Sequence, residues 1–223
     1  MLINPPELTP EEIQELQERN KKVFQPEVLS ANMLFYSTYI AIFEIFKKTI
    51  VTNIRDFFWM GIDHGKDIID PSYKSEILNR RNKTRIIDDN KIKNVFMATC
   101  DWAYENELLI INEYKSIDEL TKYRNLVTHE MATQIYDEKV RPDFSVFNRL
   151  INTFSNYAYR WFINFELAMG IEGLENAEIT YKEYSQYNPL GLVWLYANFI
   201  NMVEYREDGF LHIKDKSERE IFD

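Results

Sequence analysis

Apolar positions recur at three- and four-residue spacings through most of the chain, and stretches that alternate with period two are nearly absent. The pattern is clearest over residues 28–60. Leu34, Ile42, Ile45 and Phe46 form one series there, and Tyr39, Phe43, Ile50, Ile54 and Phe57 form another. Apolar residues thus occupy most of the circumference, which predicts a helix buried on more than one side, in a bundle core or in a core plus a subunit interface. Gly61 is placed to stop it. Upstream, Thr9-Pro10-Glu11-Glu12 has the spacing of a capping box with proline at the first helical position. It opens a mostly polar helix over 10–22, read as an exposed arm, and Pro26 ends that stretch.

Residues 62–89 are irregular and charged, and predict a loop with a short helix near 72–78. Asp88 or Asp89 is placed to cap a helix running to 106. Ser116 and Glu119 repeat the capping-box spacing and predict a helix over 117–135. Arg141-Pro142-Asp143 opens an aromatic-rich helix, 144–169, stopped by Gly170. Its Phe144, Phe147, Phe154, Tyr157, Trp161 and Phe165 lie at helical spacing and predict core or dimer interface. A polar, Tyr-rich connector follows Gly173. Asn188-Pro189 starts a last apolar helix, 189–203. The charged tail, 204–223, holds two short apolar pieces, and leaves a small strand, a short helix or a mobile end open. The expected fold class is all-α. A helical bundle spans 28–170, with a helical arm at 1–27, a charged loop insertion at 62–89 and a C-terminal helical extension, 171–223, packed on the same domain.

Composition narrows this picture. A chain of 223 residues with 45% hydrophobic and 28% charged residues suits one globular domain. Six glycines and seven prolines argue against a turn-rich all-β fold. The single cysteine, Cys100, excludes a disulfide within the chain, makes a cysteine zinc site a poor fit and points to a reducing compartment, the cytoplasm. The near-apolar windows 33–46, broken by Ser37, Thr38 and Glu44, and 190–203, broken by Asn198 and Asn201, are shorter than a membrane-spanning helix. The start, Met-Leu-Ile-Asn-Pro-Pro-Glu, has no basic region or cleavage pattern, so neither a secretion signal nor a membrane partner is expected. The net charge of −10 disfavours whole-surface binding to nucleic acid or anionic lipid. Any nucleic-acid site must therefore be a local basic groove. Residues 79–93 supply one, with six basic residues, Arg80, Arg81, Lys83, Arg85, Lys91 and Lys93, against two acidic ones. Arg80, Arg81, Lys83 and Arg85 are the candidate RNA-binding residues. The plainer alternative is a solvated loop that balances acidic neighbours.

The segment Tyr123-Arg124-Asn125-Leu126-Val127-Thr128-His129 sets one of three histidines five residues after an arginine, on a predicted helix. Asn125 and His129 share a face. Arg124 and His129 lie about 140° apart around the axis. A long arginine can reach around, or two copies of the segment can meet across a twofold and line one cleft. Such a cleft suits RNA cleavage without a metal or cofactor. Histidine can take the proton from a ribose 2′-hydroxyl or return one to the leaving 5′-oxygen. Arginine can hold the scissile phosphate with a two-pronged contact. Asn125 can orient the phosphate or the histidine tautomer. The products are a 2′,3′-cyclic phosphate and a 5′-hydroxyl, and DNA is not cut. The plainer alternative is a half-buried, satisfied histidine, with Arg124 paired to Asp118, Glu119 or Glu130. Glu44, a lone acid in the apolar run 39–46, needs a partner or a wet cleft. Arg124 is one candidate, and a polar stripe with Lys47 and Lys48 is the other. Asp63-His64-Gly65-Lys66-Asp67, with Asp70 nearby, is a poor metal loop because it offers one histidine among mixed ligands. His212 reads as a surface residue. There is no phosphate-binding glycine loop, nucleophile elbow or kinase signature.

Arg124, Asn125 and His129, in the form RNxxxH, resemble the signature of the HEPN superfamily, and the resemblance covers 28–170. It implies a helical bundle that dimerises with its motifs facing each other, and a metal-independent endoribonuclease of the toxin or antiviral-defence kind. His129 would be the acid/base, Arg124 the phosphate binder, Asn125 the orienter and Glu44 the acid that positions Arg124. The implied substrate is RNA, with tRNA a candidate, and the implied restraint is an antitoxin or a trigger protein. HEPN toxins paired with a nucleotidyltransferase antitoxin often carry a tyrosine two residues after the histidine. Here that position is Met131, which argues against control by that route. Some members bind RNA or partners without cutting, so the second expectation is a non-catalytic helical binding or regulatory module. Two Arg124/His129 pairs meeting in a cleft, with the 79–93 loop at its rim, favour the first. A buried His129, capped by Glu130 or Thr128, favours the second.

Overall fold

The computed structural model describes residues 9–136, 142–167, 179–187 and 191–214, and these are mostly helical. Helix α1 (Pro10–Val23) forms where the capping box places it. The Glu12 amide donates to Thr9 Oγ1, and the Thr9 amide donates to the Glu12 carboxylate at 2.7 Å. Pro26 both ends that stretch and opens α2 (Pro26–Phe57) at its first turn. Helix α2 is the centre of the domain. Phe35, Tyr39, Ile42, Phe46, Ile50 and Ile54 on it are fully buried. Around it pack α4 (Val95–Glu105), α5 (Ile111–Tyr136), α6 (Phe144–Trp161) and α8 (Gly191–Met202). Phe35 meets the rings of Phe144, Phe147 and Phe199, and Phe46 meets those of Phe96 and Phe154. The aromatic series of α6 therefore serves the core. By length and apolarity α2 can cross a membrane, but half of its most apolar window is buried inside the protein.

The structure corrects several boundaries. Gly61 does not stop α2, which ends at Phe57. The chain turns there into an antiparallel hairpin, β1 (Trp59–Asp63) and β2 (Lys66–Ile69). Gly61 sits in β1 beside a bulge with φ +137°, a value that glycine alone adopts easily. His64 and Gly65, both left-handed, make the two-residue turn. The short helix α3 (Ser72–Glu76) follows, and a 3-10 turn, Leu78–Arg80, leads into the basic loop. Asn94, rather than Asp88 or Asp89, caps α4, accepting from the Met97 amide at 2.9 Å. Helix α5 begins at Ile111 and not at 117. Glu113 accepts from the Ile110 amide and forms an ion pair with Arg160, which fixes the earlier start, while Ser116 lies inside the helix. A π-helical turn, Phe162–Glu166, continues α6. Beyond α7 (Tyr181–Tyr187) and α8, the first half of the tail forms a second hairpin, β3 (Val203–Tyr205) and β4 (Leu211–Ile213), packed on α2. His212 is not a surface residue. It is 4% exposed, with Nε2 3.0 Å from the Asp208 carboxylate. The connector expected after Gly173 is described from 179 on, where its tyrosines form α7. The expected stop at Gly170, residues 171–178, the start at Asn188-Pro189, residues 1–8 and the tail beyond Lys214 lie outside the described residues, as do the side chains of Glu130 and Met131.

Asp143 caps α6 as its sequence position predicts, accepting from the Ser145 and Val146 amides at 2.9 and 3.2 Å. Burial pushes its carboxyl up, but the hydrogen bonds from Ser145 and Val146 outweigh this and hold it below the usual carboxylate range. A carboxyl depressed by folding stabilises the fold above its unfolded pKa, and the contribution is lost as pH falls through the folded value. Asp143→Ala is expected to cost about 1 kcal/mol at neutral pH. The gap to the parent should close as the pH falls below about 4. Urea unfolding of both proteins across that range checks it, and a gap that persists in acid counts against the cap.

Candidate functional site

Helix α5 sets the motif by its buried line. Ile117, Leu120 and Val127 are fully buried, and Tyr39 of α2 donates to the Leu120 carbonyl at 3.0 Å. With that line facing α2, Asn125 and His129 come out on the opposite, solvent-exposed side. Arg124 lies on the flank, with its side chain three-quarters shielded. Its Nη2 is 2.5 Å from Glu44 Oε1, and its Nη1 donates to Asn125 Oδ1 at 3.1 Å. Glu44 also approaches Lys47 at 3.5 Å, so both partners expected from the sequence are present. Arg124 Nε and Glu44 Oε1 are shielded and make no aligned hydrogen bond. The pair is thus held by charge, and the guanidinium keeps donors unused.

Two of the three alternative partners for Arg124 are engaged elsewhere, and the side chain of the third, Glu130, lies outside the described residues. Asp118 binds Arg85 and Glu119 binds Arg149. Thr128 Oγ1 donates to the Arg124 carbonyl at 2.8 Å and does not cap His129. His129 makes no hydrogen bond or ion pair with any described residue. His129 is exposed, where the plainer reading has it half-buried.

The basic loop divides in two. Arg80 points inward to Asp101 at 2.9 Å and also binds Glu105 and Glu76. Arg85 is 5% exposed. It binds Asp118, lies 3.5 Å from Asp88, donates to the Tyr114 hydroxyl at 3.0 Å, and stacks its cation on the Tyr114 ring. Burial works against the Arg85 charge, and the hydrogen bonds to Asp118 and Tyr114 more than offset it. Arg81 and Lys83 remain exposed, with no ion pair among the described residues. The sequence does not reveal this division, because Asp101 and Asp118 are remote from the loop in the chain.

No group of three or more histidine, cysteine, aspartate or glutamate side chains among the described residues could hold a metal ion. Cys100 is fully buried and its thiol is pushed well up by burial, so it is no nucleophile. No family model, curated protein or solved structure matches the chain.

Proposed function

We propose that this chain is a HEPN-like, metal-independent endoribonuclease acting in the cytoplasm as a toxin or antiviral-defence protein. The observation that carries this reading is an exposed His129, without a partner among the described residues, on the same face as Asn125 and beside an Arg124 tethered by Glu44. An unpartnered imidazole on the surface is free to exchange a proton with a ribose 2′-hydroxyl or a leaving 5′-oxygen. A guanidinium with donors to spare can take a phosphate without giving up its carboxylate. Arg124 and His129 leave α5 in different directions, so two copies of the motif across a twofold make the complete site. Such an activity needs restraint in its host, which calls for an antitoxin or a trigger protein.

The test is incubation of the purified protein with end-labelled total tRNA in EDTA, beside His129→Ala. The parent is expected to leave cyclic-phosphate ends, and the variant to cut about 10²- to 10⁴-fold more slowly. Absence of cleavage by both moves the weight to a non-catalytic binding module. Equal cleavage by both removes His129 from the chemistry.

A further inference from the structure

The ribonuclease reading names a cutting end but no path for the strand, and the cations around α5 supply one. Asp118, Lys122, Asn125 and His129 follow one another at four-, three- and four-residue spacings, so they form one line along the helix. Asp118 is where Arg85 ties the basic loop to α5. From there to His129 the line runs about 16 Å at the helical rise. Lys122, between them, is exposed and has no ion pair among the described residues. Glu119, three residues before Lys122, is taken by Arg149.

The loop at the far end is folded. Thr84 and Lys91 form a β-bridge. The Asn82 amide donates to the Ile92 carbonyl, the Ile92 amide to the Lys83 carbonyl and the Arg85 amide to the Asn90 carbonyl, all within 2.9 Å. Ile92 and Arg85 are buried, and Arg81, Lys83, Lys91 and Lys93 are exposed. Arg80 and Arg85 are neutralised by Asp101, Glu105, Asp118 and Asp88. Within the loop, only Asp89 opposes the four outward cations.

We infer that this line is a phosphate track. A single-stranded RNA backbone meets the loop cations, passes Lys122 and ends at Asn125 and His129. In a chain of charge −10, a clamped cationic rim tied at Asp118 to the helix that carries the motif is where a polyanion can approach. A line one helix wide fits a strand better than the plane of a bilayer. Its length suits about four nucleotides or a few more, toward the short end of single-strand site sizes. Because Arg80 and Arg85 hold the loop from within, the outward cations are presented in place before the strand arrives, which lowers the ordering cost of binding.

The experiment uses the full chain carrying His129→Ala, so that RNA survives. Fluorescence anisotropy with a short labelled single-stranded RNA is read over a salt series. Lys83→Ala, Lys91→Ala and Lys122→Ala, each added to that background, are expected to weaken binding about three- to tenfold and to lower the salt slope by about one. Lys66→Ala, in the β1–β2 hairpin off the line, is expected to change neither. All four positions are exposed, and equal thermal melts establish that the fold is kept. Unchanged affinity and slope in the two loop variants and Lys122→Ala overturn the track, and leave cleavage by the parent protein to be judged on its own. Line-dependent binding without parental cleavage keeps the track and removes the nuclease reading. Capture by vesicles rich in anionic lipid, with no RNA binding, overturns the track in favour of a membrane surface.

Discussion

Asp101→Ala should lower the stability of the domain by about 3–5 kcal/mol, the range for breaking a buried, hydrogen-bonded charge cluster. Asp101 is 2% exposed and accepts from three different segments. These are Arg80 Nη1 at 2.9 Å, the Ile86 amide at 3.1 Å and the Tyr114 hydroxyl. The Tyr114 hydroxyl accepts in turn from Arg85 Nε at 3.0 Å, so both inward arginines converge on one carboxylate, one directly and one through a phenol. Burial raises the phenol pKa of Tyr114, which keeps it the proton donor that this chain of bonds requires. Removing the carboxylate leaves Arg80 with only its two half-exposed partners, Glu105 and Glu76, and leaves the Ile86 amide unpaired. Members of such a network polarise one another, so the loss should exceed that of one isolated bond. For a chain of this size the melting temperature should fall by about 10 °C. Arg149→Ala is the control. Its pair with Glu119 is solvated, and such pairs contribute about 1 kcal/mol or less. Urea unfolding of both variants, with hydrogen exchange over residues 81–93, checks the claim. An Asp101→Ala loss no larger than the Arg149→Ala loss shows that the cluster does not hold the loop.

The legible parts of the fold are those set by neighbours in the chain. Thr9 and Glu12 cap α1 because both partners of the box lie within one turn. The spacing of Tyr39, Phe43, Ile50 and Ile54 places α2 in the core because one stripe of a helix must be dry, while Phe57 of the same series and Ile45 of the other stay exposed. The misreadings came where a distant partner decided the outcome. Ser116 and Glu119 have capping-box spacing, but Glu113 starts α5 through its own cap and its contact with Arg160. Asp88 looks like a cap, but it faces Arg85. The β1–β2 hairpin carries Met60 and Ile62 with both side chains exposed, so it lacks the alternation that marks a half-buried strand. The strands β3 and β4 are three residues each, too short for any period to register. The same division runs through the site. The isolation of Glu44 in an apolar run calls for a partner, the HEPN resemblance names Arg124, and the two meet, with Lys47 also in reach. A run of basic residues, by contrast, does not say which cations will find a buried acid. Arg80 and Arg85 turn inward for that reason, and Lys122 draws no notice until α5 aligns it with His129.

Arg124→Ala should reduce RNA cleavage by about 10²- to 10³-fold, the cost of removing one donor that stabilises charge developing on the scissile phosphate. If the proposed track holds the strand, the loss should appear in kcat more than in KM, because Arg124 lies off that line. Arg124→Lys should recover little of it, since an ammonium keeps the charge but loses the fork that grips a phosphate at two oxygens. Glu44→Gln separates positioning from chemistry. Glutamine has nearly the same shape, but it no longer draws Arg124 by charge, and no aligned hydrogen bond is there to replace that attraction. A misplaced guanidinium should cost about tenfold in single-turnover rate. The melting temperature should hardly move, because the pair is partly solvated and contributes about 1 kcal/mol or less to folding. If Glu44→Gln cuts faster than the parent, Glu44 competes with the phosphate for Arg124 and acts as a brake rather than a guide. If it melts early and cuts at the parental rate, its role is structural alone. A fall in rate with the fold intact means that Glu44 acts by aiming Arg124, which makes the carboxylate on α2 part of a site whose other members all lie on α5.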